Sequence, residues 1–298
     1  MFNYRIPLEV GTNQRGYEFL ADLYRSVSRQ LQKEITLDFS ICLSFDANLA
    51  AALGAVLDKL LDEGYEKIMF TYPTSRSVRK VLSRNHFFRA WNFATQIEDR
   101  ENYITYRRFA SNDSDSFKVY IEEELLKKQK FPVHTELVGH YITENIFEIY
   151  ANAIMHGETE YVYACGEYNT KIHTLDMTIV DCGLTIPHNV NTHLSKNGLV
   201  TLNPCEAMVW AFEDGNTTKS NTGGLGLAIL KQFIGMNKGC LQMVSGNAFL
   251  EFDENGIKSK LLSIQFPGTI VNVKFNFDDR NRYLMEGEEY NIDFNDLL

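Results

Sequence analysis

The sequence predicts an α/β protein of the α+β kind, divided into two domains, and three observations predict it. The chain has 298 residues, 44% of them hydrophobic and 23% charged, which suits two domains of ordinary size, each with a real core. The N-terminal third alternates β-branched runs with helix-like runs, the order that gives strand–helix–strand units. The C-terminal part opens on a long amphipathic helix and closes in alternating, hairpin-like strands.

Each element follows from its local pattern. Ile35–Leu43 is β-branched and alternating, so it reads as a strand. Asp46 is placed as the N-cap of a helix running to Asp62, with Gly64 as its stop. Lys67–Tyr72 reads as a second strand and Ser77–Asn85 as a second helix. The polar run Ser111–Ser116 and the helix breaker Pro132 mark a linker zone, with the domain boundary set between residues 125 and 126. Val138, Ile142, Ile146, Ile149 and Ala153 recur every three or four positions, so Glu136–His156 is a helix that Gly157 ends. Strands follow at Tyr161–Glu167 and Leu175–Val180, then an irregular region from Asp181 to Pro204 and a short helix at Cys205–Phe212. A further helix is entered through Gly223–Gly226. The closing strands are Leu241–Ser245, Phe249–Phe252, Leu261–Phe266 and Thr269–Phe277, and residues 281–298 form an acidic tail, loose or docking.

Composition excludes several function classes. Lys and Arg number 29 against 39 Asp and Glu, a formal net charge of −10, which argues against a broad nucleic-acid footprint. The five cysteines form no C-x-x-C pair, so neither a zinc site nor a disulfide framework is indicated. No secretory signal and no membrane-length apolar run occur, so a cytoplasmic protein with no membrane partner is expected.

Three motifs carry chemistry. Glu148, Asn152 and His156 are spaced by four and form a ridge along one flank of a helix. Asparagine is a poor helix former, and its amide oxygen suits a hard cation such as Mg²⁺. Glu148, one turn earlier, could polarise a water. Asp181 ends an apolar strand and could accept from an amine, with Gly183 leaving room for a flat ring. Gly223, Gly224, Leu225 and Gly226 enter a helix, and amide groups at a helix N-terminus bind phosphate. Thr217–Ser220 add hydroxyls and the cation Lys219. Taken singly, each has a plain structural explanation: a polar helix flank, a strand-end turn, a tight loop. The glycine cluster is not a Walker loop, and it does not follow a strand as a dinucleotide fingerprint would.

In this order the motifs, Glu148-x-x-x-Asn152-Ala-x-x-His156-Gly157, Asp181-x-Gly183 and Gly223-Gly224-Leu225-Gly226-Leu227, resemble the N, G1 and G2 boxes of the GHKL (gyrase, histidine kinase, MutL; Bergerat-fold) ATPases. Pro267-Gly268-Thr269 resembles the family's final Gly-Thr. The resemblance covers residues 132–278 and implies a two-layer α/β sandwich with a mixed sheet, in a domain spanning 126–280. It implies ATP and Mg²⁺ as cofactors. Asn152 would ligate Mg²⁺, Glu148 would activate water or orient a phosphoacceptor, and His156 would border the pocket. Asp181 would accept from adenine, and Thr269 would sit near its bound water. Gly223, Gly224, Leu225 and Gly226 would hold phosphates under a mobile lid spanning Asn189–Thr222, with Lys219 at the terminal phosphate. Position 185 is Thr where the family has a second glycine.

Residues 1–125 resemble a STAS-like (anti-sigma-factor-antagonist) domain through Leu37–Ser40, Phe45-Asp46, the Ala-rich helix Leu49–Leu61 and Lys67–Tyr72. Ala47 and Asn48 follow Asp46 where phosphoswitch members carry a serine. The joint resemblance implies an ATPase or an anti-sigma-like serine/threonine protein kinase, or else a nucleotide-gated protein-binding module with little catalysis. A protein partner is expected, as regulator or phosphoacceptor, and a second copy of the chain is one candidate. A sensor histidine kinase is disfavoured, since His134 lies too close to Asn152 for a dimerising helical hairpin. A nucleic-acid clamp is disfavoured by charge.

Overall fold

The computed structural model describes residues 1–93, 102–128, 131–213, 216, 226–277, 281–285 and 288, the side chains of 226–229 excepted. The chain begins with β1 (Phe2–Arg5), β2 (Glu9–Val10), α1 (Gln14–Ser28), β3 (Glu34–Asp38) and β4 (Ser44–Phe45). A 3₁₀ turn, Ala47–Leu49, leads into α2 (Ala50–Asp62), followed by β5 (Lys67–Phe70), α3 (Arg76–Arg84) and α4 (Phe87–Ala90). Then come β6 (Tyr103–Ala110), α5 (Ser114–Ile121) with a π-type turn to Leu126, and the long α6 (Glu136–Gly157). The remainder is β7 (Tyr161–Asn169), β8 (Thr174–Asp181), α7 (Ile186–Lys196), α8 (Pro204–Phe212), α9 (Gly226–Asn237), β9 (Cys240–Ser245), β10 (Ala248–Asp253), β11 (Gly256–Leu261) and β12 (Thr269–Asn276).

The fold is mixed α/β, with parallel and antiparallel sheets. β1, β3 and β5 pair in parallel, with helices crossing between them, and β2 pairs in parallel with β4. The second sheet has seven strands in the order β11-β10-β9-β12-β8-β7-β6, and every pairing in it is antiparallel. This corrects the mixed sheet expected there: parallel pairing is confined to the N-terminal sheets, where helical crossovers permit it.

The seven-stranded sheet is covered on both faces, by the helices of the C-terminal part on one and by the N-terminal half on the other. On one face Leu175, Met177 and Ile179 of β8 pack with Ile142, Ile146 and Ile149 of α6 and with Phe233 and Ile234 of α9. On the other, Val180 and Ile270 join the core of Leu53, Val56 and Leu57 from α2. Successive side chains of a strand point to opposite faces, so β8 and β12 serve two cores at once. Polar residues pin the second interface. Asn48 donates to Thr178 Oγ1 at 2.9 Å and Asn272 Oδ1 at 3.1 Å, and all three are buried. Tyr17 of α1 donates to Gln242 of β9 at 2.8 Å. β6 lies N-terminal to the expected boundary at 125/126, yet it forms the edge of the seven-stranded sheet, and Phe109, Phe117 and Tyr120 enter its α6-side core.

Other expectations shift locally. The strand expected to reach Leu43 stops at Asp38, whose carboxylate takes the amide of Ser40 at 2.9 Å and turns the chain. Asp46 makes no cap bond to its own helix. It takes the amide and hydroxyl of Thr12 at 2.6 and 2.9 Å, tying two loops together. The strand expected at Leu261–Phe266 lies earlier, at β11, and Leu262 and Phe266 return the chain by bonding Asn247 and Gly246. The expected irregular stretch after Asp181 contains α7. Among the described residues no helix is long and apolar enough to cross a membrane.

Candidate functional site

The cleft is built where β8 ends, β12 begins and α6 finishes. Period two along β8 puts Ile179 and Asp181 on the α6 side of the sheet. The antiparallel register sets Thr269, the first residue of β12, opposite Asp181. On α6 the four-residue spacing of Glu148, Asn152 and His156 turns all three toward the same space, each half-buried. The result is a cavity of about 170 Å³ lined by Glu148, Asn152, His156, Asp181 and Thr269. Its walls are apolar: Ile149, Ile179, Met243 and Val271 from α6 and the sheet, with Trp210 and Phe212 from α8.

Three glycines let the backbones converge. A Cβ on Gly183 would stand 1.9 Å from the carbonyl oxygen of Gly157, and one on Gly268 would stand 2.1 Å from that of Asp181. A Cβ on Gly157 would reach 3.1 Å from Asp181 Oδ1. Gly183 is therefore required by the end of α6 pressing on the strand end, a closer constraint than room for a ring. Leu184 seals the junction by donating its amide to Gly157 at 2.7 Å.

Asp181 is the electrostatic centre. It is buried, and desolvation raises its carboxyl to about 7 although the Gly183 amide, donating to Oδ1 at 2.9 Å, favours the charged form. Oδ2 has no hydrogen-bond partner among the described residues, so an acceptor faces the cavity from a poorly solvated floor. Beside it stands a serine that sequence reading missed. Ser245, fully buried at the end of β9, lies 2.8 Å from Thr269 Oγ1 and accepts the amide of Ile186 at 2.8 Å. One hydroxyl thus links β9, β12 and the first turn of α7. Its only sequence signal is a serine closing a largely apolar strand.

Thr185, the departure from the expected glycine, caps α7: its hydroxyl accepts the amide of His188 at 3.3 Å. Asn189 then donates to the carbonyl of His156 at 2.7 Å, fastening α7 to the end of α6. The span expected as a lid therefore contains two regular helices, α7 and α8, and Asn203 and Glu206 close a capping box on the second. Lys219, Gly223, Gly224 and Leu225 lie outside the described residues. Gly226 is the first residue of α9.

The donor set fits a cation that arrives with its own ligands. Among the described residues no group of three or more His, Cys, Asp or Glu could hold a metal. An amide oxygen and one carboxylate from α6 suit Mg²⁺, which keeps waters and phosphate oxygens in its shell. No protein-family model matches the chain, and no curated protein matches it.

Proposed function

We propose that the cleft binds ATP with Mg²⁺ in the GHKL manner, and that the chain is an ATPase or a serine/threonine protein kinase with a regulatory role. The observation that carries this reading is the convergence of Glu148, Asn152, Asp181 and Thr269, far apart in sequence, on one apolar-walled cavity. An acceptor carboxylate on a desolvated floor suits an exocyclic amine, and apolar walls suit a flat base. Asn152 Oδ1 would ligate Mg²⁺, and Glu148 would take a proton from an attacking water or hydroxyl. Bound Mg²⁺ would supply charge neutralisation on the phosphates. His156, at the last turn of α6, borders the same space. The N-terminal STAS-like reading stays with this proposal, as does a protein partner acting as regulator or phosphoacceptor.

A second reading has its own observation. The far face of the sheet that carries Asp181 and Thr269 is bonded, through Asn48, to the 3₁₀ turn that leads into α2. A nucleotide that reorders the cleft would then be felt by the N-terminal half, as in a nucleotide-gated binding module.

The test is calorimetry with ATP, with and without Mg²⁺, on wild type and Asn152→Ala, followed by assay for ADP and phosphoprotein. Wild type should bind, and Mg²⁺ should strengthen binding about tenfold, a gain the variant loses. Binding without ADP or phosphoprotein would favour the gated module. No binding by wild type would remove the nucleotide reading.

A further inference from the structure

The face of the seven-stranded sheet that meets the N-terminal half carries a second cavity at its β9–β11 end. Period two puts Phe249 and Glu251 of β10 on that face. The register sets Lys260 of β11 opposite Phe249 and Gln242 of β9 opposite Glu251. Phe249 belongs to the core shared with α1 and α2, so the N-terminal half covers this side of the sheet. The start of α1, with Arg15 in its first turn, closes the other wall. The space between is about 470 Å³, within the range of small-molecule sites.

Charges of both signs surround this space and do not neutralise one another. Arg15, Glu251 and Lys260 line it, and none of the three is in an ion pair with a described residue. The neighbouring charges are engaged elsewhere. Lys258, opposite Glu251 in the register, pairs with Asp253 at 3.0 Å. Glu18, one turn after Arg15, accepts from Ser263 at 3.0 Å and from Gln14 at 3.2 Å. Lys260 lies 5.2 Å over the Phe249 ring.

Glu251 is fixed from beneath by a buried relay. Tyr17, fully buried, donates its hydroxyl to Gln242 Oε1 at 2.8 Å. Gln242, 8% exposed, donates in turn to Glu251 Oε2 at 2.8 Å. Burying a hydroxyl and an amide costs desolvation that apolar residues at both positions would avoid. The relay orients one carboxylate oxygen, and Oε1 has no hydrogen-bond partner among the described residues.

The sign pattern selects the ligand. A phosphate or a dicarboxylate would meet Glu251, and a polyamine would meet Arg15 and Lys260. A molecule with one ammonium and one carboxylate satisfies all three. We propose that this cavity binds a free α-amino acid with an apolar side chain, its ammonium on Glu251, its carboxylate between Arg15 and Lys260, and its side chain over Phe249 and the Lys260 stem. Such a ligand touches α1 and three strands of the sheet at once, so its binding holds the N-terminal half against the sheet. The proposal is independent of the nucleotide reading.

Calorimetric titration of L-leucine and L-phenylalanine into the full chain tests it. The controls are the matching amines without the carboxylate, 3-methylbutylamine and 2-phenylethylamine, and the matching acids without the ammonium, 4-methylpentanoate and 3-phenylpropanoate. At least one amino acid should bind with a Kd of about 1 mM or tighter, and its amine and acid should each bind about tenfold more weakly or worse. Glu251→Gln keeps an oxygen to accept from Gln242 and should weaken binding about tenfold or more. Arg15→Ala combined with Lys260→Ala, both at exposed positions, should do the same with an unchanged melting temperature. Failure of both amino acids to bind at about 10 mM, an amine or acid that binds as well as its amino acid, or undiminished binding by Glu251→Gln would each overturn the proposal.

Discussion

Asp181 and Glu167 sit on adjacent strands and share one electrostatic history. Burial pushes each carboxyl up to about 7, with desolvation the largest cause for both. Their surroundings differ. Glu167 faces the N-terminal half and accepts the Ala47 amide at 3.0 Å, with Asp46 and Asp176 adding to its rise. Asp181 faces the cavity. A perturbed carboxylate therefore does not mark a site by itself. What separates the two is open space in front of one and a helix start in front of the other.

The comparison sharpens first at the glycines that shape the cleft. Gly183→Ala puts a methyl into the Gly157 carbonyl, and we expect a loss of about 2–3 kcal/mol in urea unfolding. Gly235→Ala, where a Cβ meets nothing within 4 Å, should not be destabilising. Equal losses at both positions would break the argument that backbone approach builds the site.

The pH response tests both carboxylates together. Each folded value lies above its unfolded value, so the stability they contribute is fully present below about pH 4 and is lost as pH rises to about 7. Glu167→Gln and Asp181→Asn should each flatten the fall in melting temperature between pH 5 and 8, by similar amounts. Only Asp181 should also govern ligand affinity, which should strengthen as pH rises through about 7 and ionises the acceptor. Flattening by neither variant would contradict the burial argument.

The smallest effect concerns Ser245. Ser245→Ala removes the link between Thr269 and the start of α7, leaving the Ile186 amide without its acceptor. We expect about 1 kcal/mol of stability and a several-fold loss of nucleotide affinity, both restored by Ser245→Thr. An unchanged affinity would confine Ser245 to a structural role.

The elements legible in the sequence were those with strong local period. α6 announces itself through Val138, Ile142, Ile146 and Ile149, and the structure differs from the reading by one residue at its end. α7 stayed hidden because Pro187 and the two asparagines Asn189 and Asn191 obscure the Ile186, Val190, Leu194 spacing, although proline is at home in a first helical turn. β6 stayed hidden because Arg107 and Arg108 interrupt its alternation, and its register shifts between Ile104 and Arg107. At the site, Glu148, Asn152, Asp181 and Thr269 were legible through motif spacing, and they line one cavity. The approach of Gly157 to Gly183 and of Gly268 to Asp181 was not, because contacts between backbones distant in sequence leave no periodic trace. Covering of both sheet faces was equally invisible: Asn48 meets Thr178 and Asn272 only once the chain is folded.

The most direct test of the cleft is calorimetric titration of Mg²⁺·ATP into wild type, Asp181→Asn and Glu167→Gln at pH 8. The proposed function predicts binding by wild type, equal binding by Glu167→Gln, and a loss of at least about 100-fold in Asp181→Asn, where an amide replaces the acceptor carboxylate. Equal affinity in all three proteins, or no binding by wild type, would contradict it.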